Sequence, residues 1–243
     1  MDLPDISYNK RDLFSIPFFE WTCPYHDQMG NELIDIFYQY SQDNAPSDVT
    51  PHLKDNLYES KFSFMDDMWE NPTVQFFNQY IKESVGRITQ DINKEQWDAF
   101  KLRFGIDKIH WKTYIQESWF HITQKGGSHQ FHNHPNCDWG FIYYFTSHTP
   151  EERGSNRFYD IRTPGLVRYQ LGNLWNINDS HYPVQPEAGK CVLFPAWVFH
   201  DADTYFGETD RIVFSANISI YTPNGFDYIP QEIIDEWTRN RKG

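Results

Sequence analysis

The chain has 243 residues, a formal net charge of −13 and an aromatic content of 18%. That length fits one domain with an elaborated end, and no apolar run approaches the roughly 20 residues that span a bilayer. The acidity repels phosphate backbones and so disfavours a nucleic-acid partner.

The charge is uneven: the first hundred residues hold 18 acidic and 7 basic side chains and the remainder 16 and 14. Solubility is the plain reading of this excess. Met1-Asp2-Leu3-Pro4-Asp5 does not read as a basic-then-apolar leader. Cys23, Cys137 and Cys191 form no C-x-x-C and cannot all pair, which suits a reducing, cytoplasmic setting.

In chain order, Met29, Leu33, Ile34, Phe37 and Tyr38 recur at helical spacing and predict a helix over 26–42. Asn44-Ala45-Pro46-Ser47-Asp48 ends it and opens a polar stretch to about residue 60. Asn71-Pro72 reads as an N-cap followed by proline at the first helical position. It starts a helical region over 72–100, with Val74, Phe77, Tyr80, Ile81 and Val85 as its inner stripe.

The period then changes. Residues 112–122 mix β-branched and aromatic residues at strand density, and short strand candidates follow at 140–146, 156–161, 173–177, 190–199 and 211–220. Such a series points to a sandwich or barrel of jelly-roll type. Residues 163–188, with Arg168, Tyr169, Trp175 and His181, read as a long binding loop or lid. A last helix is predicted over Pro230–Arg241, packing Ile233, Ile234 and Trp237 on the outside. The organisation expected is a helical elaboration over 1–104, a β core over 105–222 and a tail over 223–243, without an internal repeat or linker.

Chemistry concentrates in the β region. His132 and His134 stand at i, i+2 on an extended segment and project to one face. His200 ends a buried run that breaks at Pro195, and this third imidazole from a distant strand completes a set that suits one iron, copper, nickel or zinc ion. Arg211 opens the next strand, where alternation puts Arg211, Val213, Ser215 and Asn217 on one face. A lone histidine is more often a satisfied core or surface residue than a ligand, so the weight rests on the combination.

These residues resemble a known family. H-x-H-P-N, the Tyr143-Tyr144 strand, Arg157-Phe158-Tyr159-Asp160, F-P-x-W-x-x-H and R-I-x-x-S-x-N-I are similar to the 2-oxoglutarate/Fe(II)-dependent oxygenases of a bacterial and phage branch. The resemblance covers about 105–222. It implies a mainly β double-stranded β-helix (jelly roll) with a helical N-terminal elaboration and a C-terminal helix, holding Fe(II) between its sheets. It also implies 2-oxoglutarate and O₂ as co-substrates, with hydroxylation of an aliphatic C–H on a small molecule, an amino acid or a peptide.

The family pattern is His-x-Asp/Glu, and here His134 stands in the carboxylate's place. The sequence leaves open a three-histidine centre of His132, His134 and His200, or an oxygen from Asp138. Arg211 is implied as the fork for the distal carboxylate of 2-oxoglutarate. Ser215 and Asn217 would line the same cavity, and one of Tyr143 and Tyr144 would face it. Gln116, Lys125, Ser128, Arg157 and Asp160 are weaker candidates near the mouth. Arg153, Arg157, Arg162 and Arg168 read as a solvated face balancing nearby carboxylates.

Two rivals share the fold. A cupin-type metalloenzyme or metal-dependent sensor would use Asp138 as a fourth ligand and no 2-oxoglutarate; Trp197, where cupins carry glycine, argues against it. A non-catalytic ligand-binding jelly roll would give the histidines a structural role. The sequence is silent on oligomeric state.

Overall fold

A computed structural model of the protein describes residues 15–48, 56–95, 98–99, 102, 112–160 and 181–221. The predicted strand at 173–177, the helix at 230–241, residues 163–180 of the long connection, Arg162 and Arg168 lie outside the described residues.

Two antiparallel sheets face one another. The larger is ordered β1-β8-β5-β10-β3-β2, from Phe19–Thr22 (β1), Lys190–Pro195 (β8), Trp139–Tyr144 (β5), Arg211–Tyr221 (β10), Lys112–Thr123 (β3) and Leu57–Glu59 (β2). The smaller is β4-β9-β6-β7, from His129–His132 (β4), His200–Ala202 (β9), Asn156–Tyr159 (β6) and His181–Val184 (β7). From β3 onward, strands alternate between the sheets in jelly-roll order except for β6 and β7, which pair with each other in the smaller sheet, so most neighbours in the fold are distant in sequence.

The helices cover the outer face of the large sheet. Helix α1 runs His26–Asp43 and α3 Pro72–Ile92, with a short α2 at Phe64–Asp67. The Asn71 side chain accepts from the backbone N–H groups of Thr73 and Val74 at 2.9 and 3.1 Å, satisfying two orphan donors of α3's first turn. Leu33, Phe37, Phe77 and Ile81 are fully buried against Phe120, Tyr143, Phe145 and Phe214 of the sheet. Phe37 stacks on Phe120 with ring centroids 4.4 Å apart. Burying one such ring is worth about 1.5–3 kcal/mol, so this aromatic layer anchors the helices to the sheet.

Between the sheets lies a second, smaller core of Ile142, Tyr144, Phe158, Val192, Phe194 and Val213. Strand β10 serves both layers. Ile212, Phe214, Ala216 and Ile218 face the helices, and Arg211, Val213 and Ser215 face the interior. A slip of one residue would exchange the two sets and put the guanidinium under the helices.

Several elements differ from the sequence reading. The polar stretch before residue 60 contains β2, which pairs with the far end of β3 from Leu57↔Thr123 to Glu59↔His121. Strand β1 pairs with β8 and β7 with β6, each only 4 residues long. Their own patterns are too brief to announce a strand, and the edge they complete supplies the reason to form. Helix α3 ends at Ile92, where the Asn93 side chain donates to the Thr89 carbonyl, and residues 94–95 and 98–99 are helical again, so the expected helical region is broken by a turn.

Candidate metal and co-substrate site

Strands β4 and β9 put the first two imidazoles together. His132 and His200 are direct cross-strand partners, with ring centroids 4.2 Å apart. Between His129 and His132 the pairing is irregular, with three steps on β4 against two on β9. This bulge turns His129 and His132 to the same side although they stand three positions apart. Phe131 is thereby left on the outer face, stacked on Phe199. His134 follows β4, where its backbone N–H donates to Ala196 at 2.9 Å and its ring lies parallel to that of His200.

Each of the three rings has its Nδ1 at an oxygen acceptor. His132 Nδ1 is 2.7 Å from the Gln130 carbonyl, His200 Nδ1 is 3.2 Å from the Val198 carbonyl, and His134 Nδ1 meets the Asn217 side-chain oxygen. These contacts favour the proton on Nδ1 and leave Nε2 as a free lone pair. The Nε2 atoms of His134 and His200 are 3.2 Å apart. Two nitrogens bound at about 2.1 Å to one ion, near a right angle, would stand about 3 Å apart. All three ligand nitrogens lie within 4.8 Å of one another. The set therefore fits a divalent ion that accepts imidazole.

Burial lowers all three pKa values, helped by the neighbouring imidazoles. His132 is pulled down to about 3 and His200 lies well below the usual histidine range. His134 is lowered too, mainly by burial, with the Asn217 contact opposing. Neutral imidazole is the form that binds metal. Trp119 stacks on His134 and Phe158 on His200, which holds the rings in place. Gly140 lets Phe194 approach: a Cβ there would collide with the Phe194 ring, which packs edge-on against His200 with ring centroids 4.8 Å apart.

Arg211 is 3% exposed and shares an enclosed slot with the three histidines, Asn156 and Ser215. Its Nη2 donates to Asn156 Oδ1 at 2.7 Å, and the same oxygen accepts from Tyr144 Oη at 2.8 Å. Its Nε has no hydrogen-bond partner among the described residues. Among the described residues no carboxylate lies within ion-pair distance of it, and burial lowers its pKa. The local acids are engaged elsewhere: Asp210 accepts from Tyr38, and Glu208 pairs with Lys125. A buried guanidinium with an idle donor is costly unless an anion completes it.

Tyr144 faces the slot, its ring 5.9 Å from the Arg211 guanidinium. Tyr143 points the other way, under the helices, with its hydroxyl 2.9 Å from His26 Nδ1 and its ring against Phe77. Its candidacy as a co-substrate contact is corrected accordingly, because successive residues of β5 face opposite layers. Asp138 also requires correction. It is exposed, and its carboxylate accepts from the Ile220 backbone N–H at 2.7 Å. The turn at Asn136, with φ 65°, carries it away from the three rings. Ser215 lines the slot beside Arg211, whereas Asn217 contacts His134 and donates to Glu117 at 2.6 Å.

Arg157 makes a two-pronged pair with Asp201 at 2.7 and 2.8 Å, and Arg153 donates to Asp203 at 2.7 Å. These two are occupied as a solvated face. Asn156, Trp119, His121, His129 and Glu59 were not singled out in the sequence. The inward alternation of Trp119 and His121 along β3 was the available signal for that pair.

A cleft of about 560 Å³ leads to the histidines, lined by Phe62, Gln116, Glu117, Trp119 and Asn133 among others. Among the described residues no helix is long and apolar enough to cross a membrane.

The jelly roll sets three convergent imidazoles and a buried arginine of the next strand in one slot. Residues 117–217, which include all four of those residues, match the family model described as "Putative 2OG-Fe(II) oxygenase". That class works with Fe(II), 2-oxoglutarate and O₂. No curated protein matches the sequence.

Among solved structures, a Pseudomonas putida prolyl-4-hydroxylase is similar, with a TM-score of 0.51 at 14% identity, over 86% of this chain and 95% of that one. HygX from Streptomyces hygroscopicus, solved with nickel, 2-oxoglutarate and hygromycin B, gives 0.54 at 10% identity, over 84% of this chain and 83% of that one. At these identities the likeness is one of fold.

Proposed function

We propose that the protein hydroxylates an aliphatic C–H of a small molecule, an amino acid or a peptide. His132, His134 and His200 would hold Fe(II) through their Nε2 atoms, and Arg211 would receive the distal carboxylate of 2-oxoglutarate. The observation that carries this reading is the buried Arg211 guanidinium, whose Nε lacks a partner in the slot that the three imidazoles also line.

When bound, the iron supplies activation of O₂ coupled to decarboxylation of 2-oxoglutarate, so that substrate C–H, O₂ and 2-oxoglutarate give the alcohol, succinate and CO₂. The chain's own residues bind, orient and exclude water. Asn156 fixes the guanidinium by accepting at Oδ1, which leaves Nε free for a carboxylate oxygen. Tyr144 steadies the same Asn156 oxygen and supplies an apolar wall. Asn217, the Val198 carbonyl and the Gln130 carbonyl hold the three rings by their Nδ1 atoms. Phe158, Phe194 and Val213 dry the space beneath, where water would quench a strong oxidant.

Three neutral ligands leave the centre one positive charge higher than a set containing a carboxylate. That favours an anionic co-substrate. A cupin-type centre relying on Asp138 has no support from the position of that residue.

The test is succinate formation from 2-oxoglutarate by purified protein given Fe(II), ascorbate and air. Turnover that disappears in His200→Ala supports the reading. Metal binding without any 2-oxoglutarate consumption or affinity would overturn it.

A further inference from the structure

A second set of metal donors stands beside the first, on β2, β3 and the opening residue of β4. Glu59 ends β2 directly opposite His121 of β3, and His129 opens β4. Glu59 Oε2 lies 2.8 Å from His121 Nε2 and 3.4 Å from His129 Nε2. The two imidazole centroids are 5.0 Å apart.

The burial is deep. Glu59 is 1% exposed and His121 8%. His129 Nδ1 faces the Gln130 carbonyl at 3.3 Å, so the tautomer protonated at Nδ1 turns its Nε2 lone pair toward the carboxylate. In that tautomer the Nε2 of His129 and the Glu59 carboxylate oxygen both face the gap as metal donors.

The spacing suits a metal ion. Donor separations of 2.8 and 3.4 Å bracket the roughly 3 Å edge made by ligands about 2.1 Å from one ion. Two imidazoles and one carboxylate also form the set that first-row divalent metals accept while keeping positions open. The bulge in β4 contributes to both groups, because it turns His129 inward next to His132, with ring centroids 4.5 Å apart.

We infer that Glu59, His121 and His129 form a second divalent-metal site, for a first-row ion such as Zn(II) or Fe(II), adjoining the three-histidine site. The cleft that reaches His132 and His134 is also lined by Glu59 and His129, so an ion reaches both sites from one side. The inference stands on its own residues and does not depend on the use of 2-oxoglutarate.

The experiment is a Co(II) titration of the chelator-stripped full chain, read by visible absorption and by metal content after gel filtration. Wild type is expected to take two equivalents. Glu59→Gln and His129→Gln are each expected to take one, and His200→Ala to lose the other while keeping the Glu59-dependent one. Circular dichroism and thermal melting report whether each variant folds; should Glu59→Gln fail, the less buried His129→Gln decides.

One equivalent in wild type, or two retained by a folded His129→Gln, overturns the site and leaves the trio as a hydrogen-bonded proton relay. Loss of the His200-dependent equivalent alone would count against the oxygenase reading and not against this one.

Discussion

The side chain of Asn217 accepts a hydrogen bond from the Nδ1 side of His134, and it does so from the same strand that carries Arg211. One strand thus sets both ends of the site. Its inward residues run from the guanidinium, past Val213 and Ser215, to the amide that orients an imidazole. Glu117 on β3 accepts from the Asn217 amide N–H at 2.6 Å and so fixes which way that amide points.

Replacing Asn217 should therefore weaken metal binding without unfolding the sheet. Groups that orient a metal-bound histidine commonly contribute about 10–100-fold in affinity. Asn217→Ala is expected to raise the Kd for Co(II) at the His200-dependent site within that range, measured by competition with a chromophoric chelator. An unchanged Kd would mean that His134 is positioned by its packing on Trp119 alone.

Arg211→Ala should leave metal content intact and weaken 2-oxoglutarate. Removing one partner of a buried charge-assisted pair costs about 2–5 kcal/mol, a loss of at least about 30-fold in affinity. Calorimetric titration of the Mn(II)-loaded variant with 2-oxoglutarate reads this directly. Arg211→Lys should recover only part of the loss, because an ammonium lacks the guanidinium fork.

Asp138→Ala is expected to keep wild-type metal content, since its carboxylate binds the Ile220 N–H and none of the three rings. Metal analysis of the purified variant checks this. The expected cost is confined to stability, about 1–3 kcal/mol for an acceptor lost from a backbone donor, and is read from the melting temperature.

Gly140→Val places a side chain where the Phe194 ring now sits. Phe194 packs edge-on against both His134 and His200, so the displacement is transmitted to the metal ligands. Overpacking of this kind costs about 1–3 kcal/mol. Lower metal affinity alongside that destabilisation is the expected result. Phe37→Ala, under the helices, is the contrasting case: about 3–5 kcal/mol of stability lost with metal affinity retained in the folded fraction. Denaturant melts and metal titrations of the two variants separate the effects.

The long periodic elements were legible in the sequence. Met29, Leu33 and Phe37 predicted α1, Asn71-Pro72 marked the start of α3, and β3, β5, β8 and β10 followed from dense β-branched and aromatic runs. The convergence of His132, His134 and His200 was readable from strand ends and spacing. What stayed hidden depended on partners. The edge strands β1, β2 and β7 form because a neighbouring strand offers its unpaired backbone, which no local pattern records. His129 became inward-facing through a bulge, and Glu59 lay in a stretch that reads as polar loop. The alternation of β5 required that only one of Tyr143 and Tyr144 enter the slot. Choosing between them needed the register with β10, where Val213 opposes Tyr144.

A crystal structure with Mn(II) and 2-oxoglutarate bound examines the central assignment most directly. The account predicts one ion within about 2.3 Å of the Nε2 atoms of His132, His134 and His200, with the distal carboxylate of 2-oxoglutarate on Arg211 Nε. An ion held by Asp138, or a co-substrate whose distal carboxylate lies away from Arg211, would contradict it.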